Sequence, residues 1–281
     1  MRAGPLRRLW GVLLALALAS LPATGAWGWG AEGHRIVGAV AEALLDARTR
    51  DALAAIAGDR RLSEIGLFLD RDREELEAQI PGSSHWHYDN RPDCEPKVPL
   101  ARYCPRGECA SLAFEKYRAI LADRHASRDE RLFALEVVVH VLADVHQPLH
   151  VADHDDRGGN DVKVLTGRSR HPTPLHGAWD NDFVRRAMAG ERQAAFVDGL
   201  IAEYGPERER IAAGRFTDWT QESWQLAHDF AFGRLPGFSC GEADPRIVAL
   251  PDAYADGAAR IVREQLARAG IRLAAVLKAS L

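Results

Sequence analysis

The chain has 281 residues, 47% of them hydrophobic and 27% charged, with a formal net charge of −4. That length suits one large domain or two small ones, and the apolar content buries a core and excludes a disordered chain. The acidic balance excludes a protein that coats duplex DNA by neutralising phosphates, so any work on nucleic acid has to be local.

In chain order, residues 1–28 read as a signal peptide outside the fold. Arg2, Arg7 and Arg8 form a basic start, and Leu9 to Leu21 is an apolar run of signal-peptide length. A membrane span needs ~20 apolar residues, and no other run is long enough. Ala26-Trp27-Gly28 places small residues at both selective positions for cleavage after Gly28; cleavage after Ala26 is the alternative. The expectation is a secreted or periplasmic protein with residues 29–281 as a single domain, not membrane-bound once the signal is removed. Removal takes three arginines and no acid, leaving 33 basic against 40 acidic residues, a net −7.

The apolar spacing predicts mostly helix. Ile36, Val37, Val40, Ala41, Leu44 and Leu45 form a helical stripe after His34. Pro81 to Gly107, rich in Pro, Asp, Arg and Cys, reads as irregular. Leu132, Leu135, Val138, Val139 and Leu142 give a second stripe. His150 to Pro174 is again irregular, with Val162 to Leu165 as one arm of a short hairpin. Phe196, Val197, Leu200 and Ile201 give a third stripe. Ile261, Val262, Leu266, Leu273, Ala274 and Leu277 mark a helical C-terminal region, interrupted or kinked near Gly270. The expected fold is mainly α, a single-domain helical bundle with a short β-hairpin at most.

Cys94, Cys104, Cys109 and Cys240 make an even count in an exported chain, which favours disulfides over zinc ligation; paired C-x-x-C spacing is lacking. Of the three connectivities, Cys104–Cys109 closing a small loop with Cys94–Cys240 as a long staple is preferred. No Asn-x-Ser/Thr sequon is present.

His140 and Asp144 are four residues apart, so a helix puts them on one face. Pro148 is expected to end that helix and leave His150 free to turn back towards the same pocket. His176 and Asp180 repeat the spacing. One such pair alone is more readily a solvated face or an N-cap. Two pairs, with a His beyond a helix-ending Pro, point to zinc, because an apolar helix seldom buries His and Asp without a partner. His34, His87 and Asp70 add to the set; taken singly, Asp70 reads equally well as a salt-bridge partner of Arg73.

Together, Trp29-x4-His34, Asp70-x2-Arg73, Trp86-His87-Tyr88, His140-x3-Asp144-x5-His150 and His176-x3-Asp180 resemble the zinc-dependent single-strand-specific nucleases of the S1/P1 type. The likeness also takes in Gln147-Pro148-Leu149-His150, Gly158-Gly159-Asn160 and the C-terminal Ala269-Gly270-Ile271-Arg272-Leu273-Ala274. It implies a helical fold shared with zinc phospholipase C, built around three Zn2+ per chain. By position, Asp70, His87, His140 and Asp144 would hold one zinc. His150, His176 and Asp180 would hold a second, more exposed one. The third would take the free amino group and carbonyl oxygen of Trp29, with His34 and a shared Asp144. An amine ligates only at a true terminus, so the resemblance favours cleavage after Gly28. The cysteine order also resembles members with two disulfides.

The activity implied is hydrolysis of single-stranded DNA and RNA to 5′-phosphorylated products by a zinc-activated water, with action on 3′-nucleotides as well, in a monomer. Asp70, Arg73, Asp144 and Asn160 are the candidate catalytic residues. Arg73, Tyr88, Asn90 and Asn160 are the candidates for substrate binding, Arg73 reaching a phosphate from Asp70's helical face and Tyr88 stacking a base. Members often carry an acid two residues beyond the aromatic; here that position is Asn90, with Asp89 one earlier. Two rivals stand beside this reading. Zinc phospholipase C is disfavoured by the short Trp-to-His spacing, by Asp180 where that pattern has Glu, and by the disulfide framework. A non-catalytic periplasmic zinc-binding protein is disfavoured by the absence of His-rich runs and by the open position that a three-ligand site leaves.

Overall fold

The computed structural model describes residues 29–95, 97–167, 171–240 and 247–281. The signal-peptide segment, 1–28, lies outside the described residues. The helices are α1 (Ala31–Ala43), α2 (Ala47–Ala57), α3 (Leu62–Ile65), α4 (Phe68–Arg71), α5 (Arg73–Gln79), α6 (Leu100–Tyr103) and α7 (Ala110–Ala122). They continue as α8 (Arg128–Asp144), α9 (Leu175–Gly177), α10 (Phe183–Met188), α11 (Gln193–Tyr204), α12 (Arg208–Ala212), α13 (Phe216–Leu226) and α14 (Asp252–Ser280). The fold is mainly α, as the periodicity predicts, and no helix among the described residues is long and apolar enough to cross a membrane.

Helix α8 is the axis of the molecule. A capping box starts it: Ser127 Oγ accepts from Glu130 N at 3.2 Å, and Glu130 accepts from Ser127 N at 2.8 Å. From Ala134 to Asp144 every residue is buried, so this stretch has no solvent face. It packs against α7, α14, α4 and α3, and an apolar cylinder enclosed in this way forces His140 and Asp144 to find partners inside the core.

Helix α14 corrects the expected break near Gly270: it runs unbroken for 29 residues. A Cβ on Gly270 would lie 2.5 Å from Val40 Cβ and 3.1 Å from Val37 O. The glycine therefore lets α14 and α1 touch, and that packing offsets the ~1 kcal/mol that glycine costs in a helix interior.

The hairpin arm is present and extended. β3 (Lys163–Thr166) pairs antiparallel with β4 (Thr173–Pro174) and parallel with β5 (Ile247–Leu250), in register Lys163↔Ile247. A second ladder, β1 (Arg91–Pro92) parallel to β2 (Ala152–Asp153), ties the loop after His87 to the loop after His150. Two-residue ladders lie below the reach of periodicity. The disulfides are Cys94–Cys240 and Cys104–Cys109, the preferred pairing, with sequence separations of 146 and 5. Loop-closure entropy makes the first worth about 5 kcal/mol and the second about 2 kcal/mol.

Candidate metal centre

Five regions of chain converge beside the last turn of α8. α1 delivers His34, α4 delivers Asp70, and the turn after the 3-10 segment Ser83–His85 delivers His87. α8 itself presents His140 and Asp144 one turn apart. The helix ends at Asp144, capped at Val145, four residues before Pro148. Pro148 instead begins a 3-10 turn that ends at His150, so the return towards the pocket comes from that turn. His176 lies on α9 and Asp180 on the π-helical turn Ala178–Asp182, a wide local winding often found at functional sites.

The donors form three groups. In the first, the measured pairs among Asp70 Oδ1, His87 Nδ1, His140 Nε2 and Asp144 Oδ2 span 2.8–3.7 Å. In the second, His150 Nε2 and His176 Nε2 are 3.0 Å apart and stand 3.9 and 3.6 Å from the Asp180 carboxylate. In the third, His34 Nε2 lies 3.2 Å from Asp144 Oδ1. A tetrahedral zinc with bonds of about 2.0–2.1 Å spaces its ligands about 3.3 Å apart.

The hydrogen bonds show what these atoms are prepared for. Nδ1 of His140, His150 and His176 lies 2.7, 2.6 and 2.6 Å from the carbonyls of Gly66, His87 and Gly158. These contacts assign the proton to Nδ1 and leave each Nε2 as a lone pair. Two lone pairs held 3.0 Å apart repel unless positive charge sits between them. His34 Nδ1 and Nε2, Asp70 Oδ1 and Asp144 Oδ1 are buried without a hydrogen-bond partner. Such groups are costly unless a cation completes them. Burial pushes the Asp180 carboxyl well above its usual range, and the charges of Asp144 and Asp70 add to this. Burial also raises Asp144, but the neighbouring His140 and His150 outweigh it and hold Asp144 well below the carboxylate range. The donor set fits divalent zinc. A fourth cluster, Asp93, Cys94 and His154, does not, because Cys94 is spent in a disulfide.

Trp29 is fully buried; its indole donates to Ala143 O at 2.9 Å, and the next residue donates from Gly30 N to Asp180 O at 3.1 Å. The start of the proposed mature chain is thus stitched between Asp144's helix turn and Asp180. A cleft of about 640 Å³ opens over the donors, lined by Asp70, His176, Asp180, Asn160, Asn181 and Arg35 among others.

Arg73, Tyr88 and Asn90 do not line that cleft. Asp72 breaks helical geometry (φ −108°, ψ 20°) between Asp70 and Arg73, so the expected shared helical face does not form. Arg73 Nη2 donates to Ser84 O at 3.1 Å, and the Arg73 charge opposes the rise that burial gives the Tyr88 phenol. Arg73 and Tyr88 therefore lie close enough for the charge of one to act on the other, outside the lining of that cleft. Asn90 has a left-handed φ of 44°. Asp89 is spent on α7, accepting from Ser111 N at 2.9 Å and Ser111 Oγ at 2.6 Å. Asn160 is held by its Nδ2 donating to Arg157 O at 2.8 Å.

The spacing argument passed over Gln147, although it lies in the Gln147–His150 stretch. It is fully buried; Nε2 donates to Asp180 Oδ1 at 2.8 Å, and Oε1 accepts from Leu149 N at 2.6 Å. Its burial and its reach to Asp180, 33 residues away, are properties of the packed chain that no spacing signals.

Comparison with known proteins agrees with this geometry. The chain is 28% identical to Endonuclease 2 of Arabidopsis thaliana over 89% of each chain. It is 28% identical to Nuclease S1 of Aspergillus oryzae over 74% of this chain and 70% of that one. It is 27% identical to Nuclease P1 of Penicillium citrinum over 58% of this chain and 60% of that one. The model of the S1/P1 Nuclease family matches residues 29–281, donors and cleft included, and the chain therefore belongs to the S1/P1 nuclease family, hydrolases of phosphodiester bonds.

Proposed function

We propose that the chain is a zinc-dependent phosphodiesterase acting outside the cytoplasm on single-stranded DNA and RNA. In this reading it releases 5′-phosphorylated products, also takes 3′-nucleotides, and works as a monomer with three zinc ions. The observation that carries the reading is the facing of unprotonated imidazole nitrogens, 3.0 Å apart at His150 and His176, beside orphaned atoms of His34, Asp70 and Asp144. The names of the relatives, Nuclease S1 and Nuclease P1 among them, support it over phospholipase C.

Asp70, His87, His140 and Asp144 would hold one zinc, and His150, His176 and Asp180 a second. The terminal amine and carbonyl of Trp29, with His34 and Asp144, would hold the third. Bound zinc lowers the pKa of water towards neutrality and offsets charge on the phosphoryl group. The protein's own part is positional. The carbonyls of Gly66, His87 and Gly158 fix the three imidazoles, and Gln147 fixes Asp180. Asn160, at the cleft, orients the substrate. Arg73 binds a phosphate from the rim, and Tyr88 stacks an unpaired base with Asn90 beside it. A duplex base would first have to be flipped out, at a cost of a few kcal/mol, which gives the single-strand preference.

The test joins three measurements on the exported, N-terminally sequenced protein: zinc per chain, cleavage of single-stranded against duplex DNA, and hydrolysis of phosphatidylcholine. A chain starting at Trp29 with three zincs and single-strand cleavage is expected. Phosphatidylcholine hydrolysis without nuclease activity would favour the lipase reading, and a metallated protein inert on all substrates would favour a zinc carrier. A product starting at Trp27 that kept three zincs and full activity would sink the terminal-amine ligand.

A further inference from the structure

The C-terminal stretch Ala269–Ala274 contributes no metal donor, yet Arg272 within it is 1% exposed and reaches the turn between the donor groups. Arg272 Nη1 donates to His146 Nε2 at 3.0 Å, Nε donates to Ile211 O at 3.0 Å, and Nη2 donates to Glu222. The guanidinium lies over the Trp219 ring, 5.1 Å from its centroid. Gln265, two turns earlier on the same face of α14, donates from Nε2 to His146 O and to Ser223 Oγ, both at 3.1 Å. His146 Nδ1 meets Leu142 O at 2.7 Å, so its Nε2 lone pair is the one that accepts from Arg272. α14 thus grips both the ring and the carbonyl of His146. The next residue, Gln147, holds Asp180.

A buried guanidinium is an expensive way to fill a core, and a hydrophobic side chain of similar volume does so more cheaply. Its worth here lies in the fixed fork of donors, which a lysine cannot reproduce. We propose that Arg272 and Gln265 are positioning residues for the His150–His176–Asp180 group. By locking His146 they set the Gln147 amide, and that amide fixes the Asp180 carboxylate. The inference rests on the zinc scheme proposed above.

The experiment uses the full mature protein loaded with zinc and the variants Arg272→Lys, Gln265→Glu, Gln147→Leu and the double Arg272→Lys/Gln147→Leu. Each is titrated with a zinc chelator while metal content, helicity and single-strand cleavage are followed. Each single variant is expected to stay helical and to release one ion at about 10- to 100-fold lower chelator strength than the parent, with the other ions retained. Its kcat falls while KM holds. The double variant is expected to be no worse than Gln147→Leu alone, because Arg272 acts through Gln147. Losses that multiply in the double variant, or ions that all leave together as helicity falls, would overturn the proposal. Gln265→Glu keeps the test open if Arg272→Lys fails to fold. If His176→Ala leaves the zinc content unchanged, the zinc scheme itself falls and takes this inference with it. Normal zinc content with multiplying losses overturns only this inference.

Discussion

The donor groups and the proposed substrate rim are built on different principles. His34, His87, His140, Asp144 and His150 are each at most 1% exposed and come mainly from helices and tight turns locked into the core. Arg73 opens the short helix α5, and Tyr88 and Asn90 stand on the loop that follows it; all three are partly buried. Glu77 organises part of that loop, accepting from Gly82 N at 2.9 Å and Ser84 N at 2.8 Å. A core donor cannot shift without disturbing packed helices, whereas a rim residue can change with little structural cost. The proposed zinc ligands are thus fixed by the core, whereas Asn90, only partly buried, is not.

The comparison breaks most visibly at Asp144, whose two oxygens serve different donor groups. Asp144→Ala is expected to lower single-strand cleavage on the order of 1,000-fold or more and to lose zinc while the helices persist. Cleavage assays with metal analysis and circular dichroism check this, and near-normal turnover would remove Asp144 from the site. On the rim, Tyr88→Ala is expected to raise KM about 5- to 150-fold, the worth of one stacked base, with kcat and zinc content held. A fall in kcat with zinc loss would instead make Tyr88 a support for His87.

Asn90→Asp sharpens the comparison further. It is expected to change the ranking among homopolymer substrates by less than about 10-fold, the scale of one hydrogen bond, and to leave metal content alone. Glu77→Gln should have the smallest effect. Backbone hydrogen bonds, from Gly82 first, pull the Glu77 carboxyl down to about 2 from its usual 4.5, against the opposing effect of burial. Its folded value is depressed, so its contribution is present above pH 4.5 and fades as pH falls towards 2. Chemical denaturation of metal-free protein should show the variant slightly less stable than the parent at pH 6, with the gap closing on acidification. A gap that widened in acid would contradict the assignment.

The sequence by itself determined the helical character, the stripe of α8, the pairing of His140 with Asp144 and the family likeness. These rest on short spacings and on the rule that buried polar groups need partners. The three-residue separation of Asp70 and Arg73 misled, because the break at Asp72 depends on local geometry that no spacing encodes. Gly270 misled in the opposite direction: its cause is the surface of α1, far away in the chain. Gln147 and Arg272 became legible only in three dimensions, since each acts on residues 33 and 126 positions away. The division follows from range. Periodicity and motif spacing report what one helix turn can see, while carbonyl supports, close helix approach and the grip on His146 exist only once distant segments have packed.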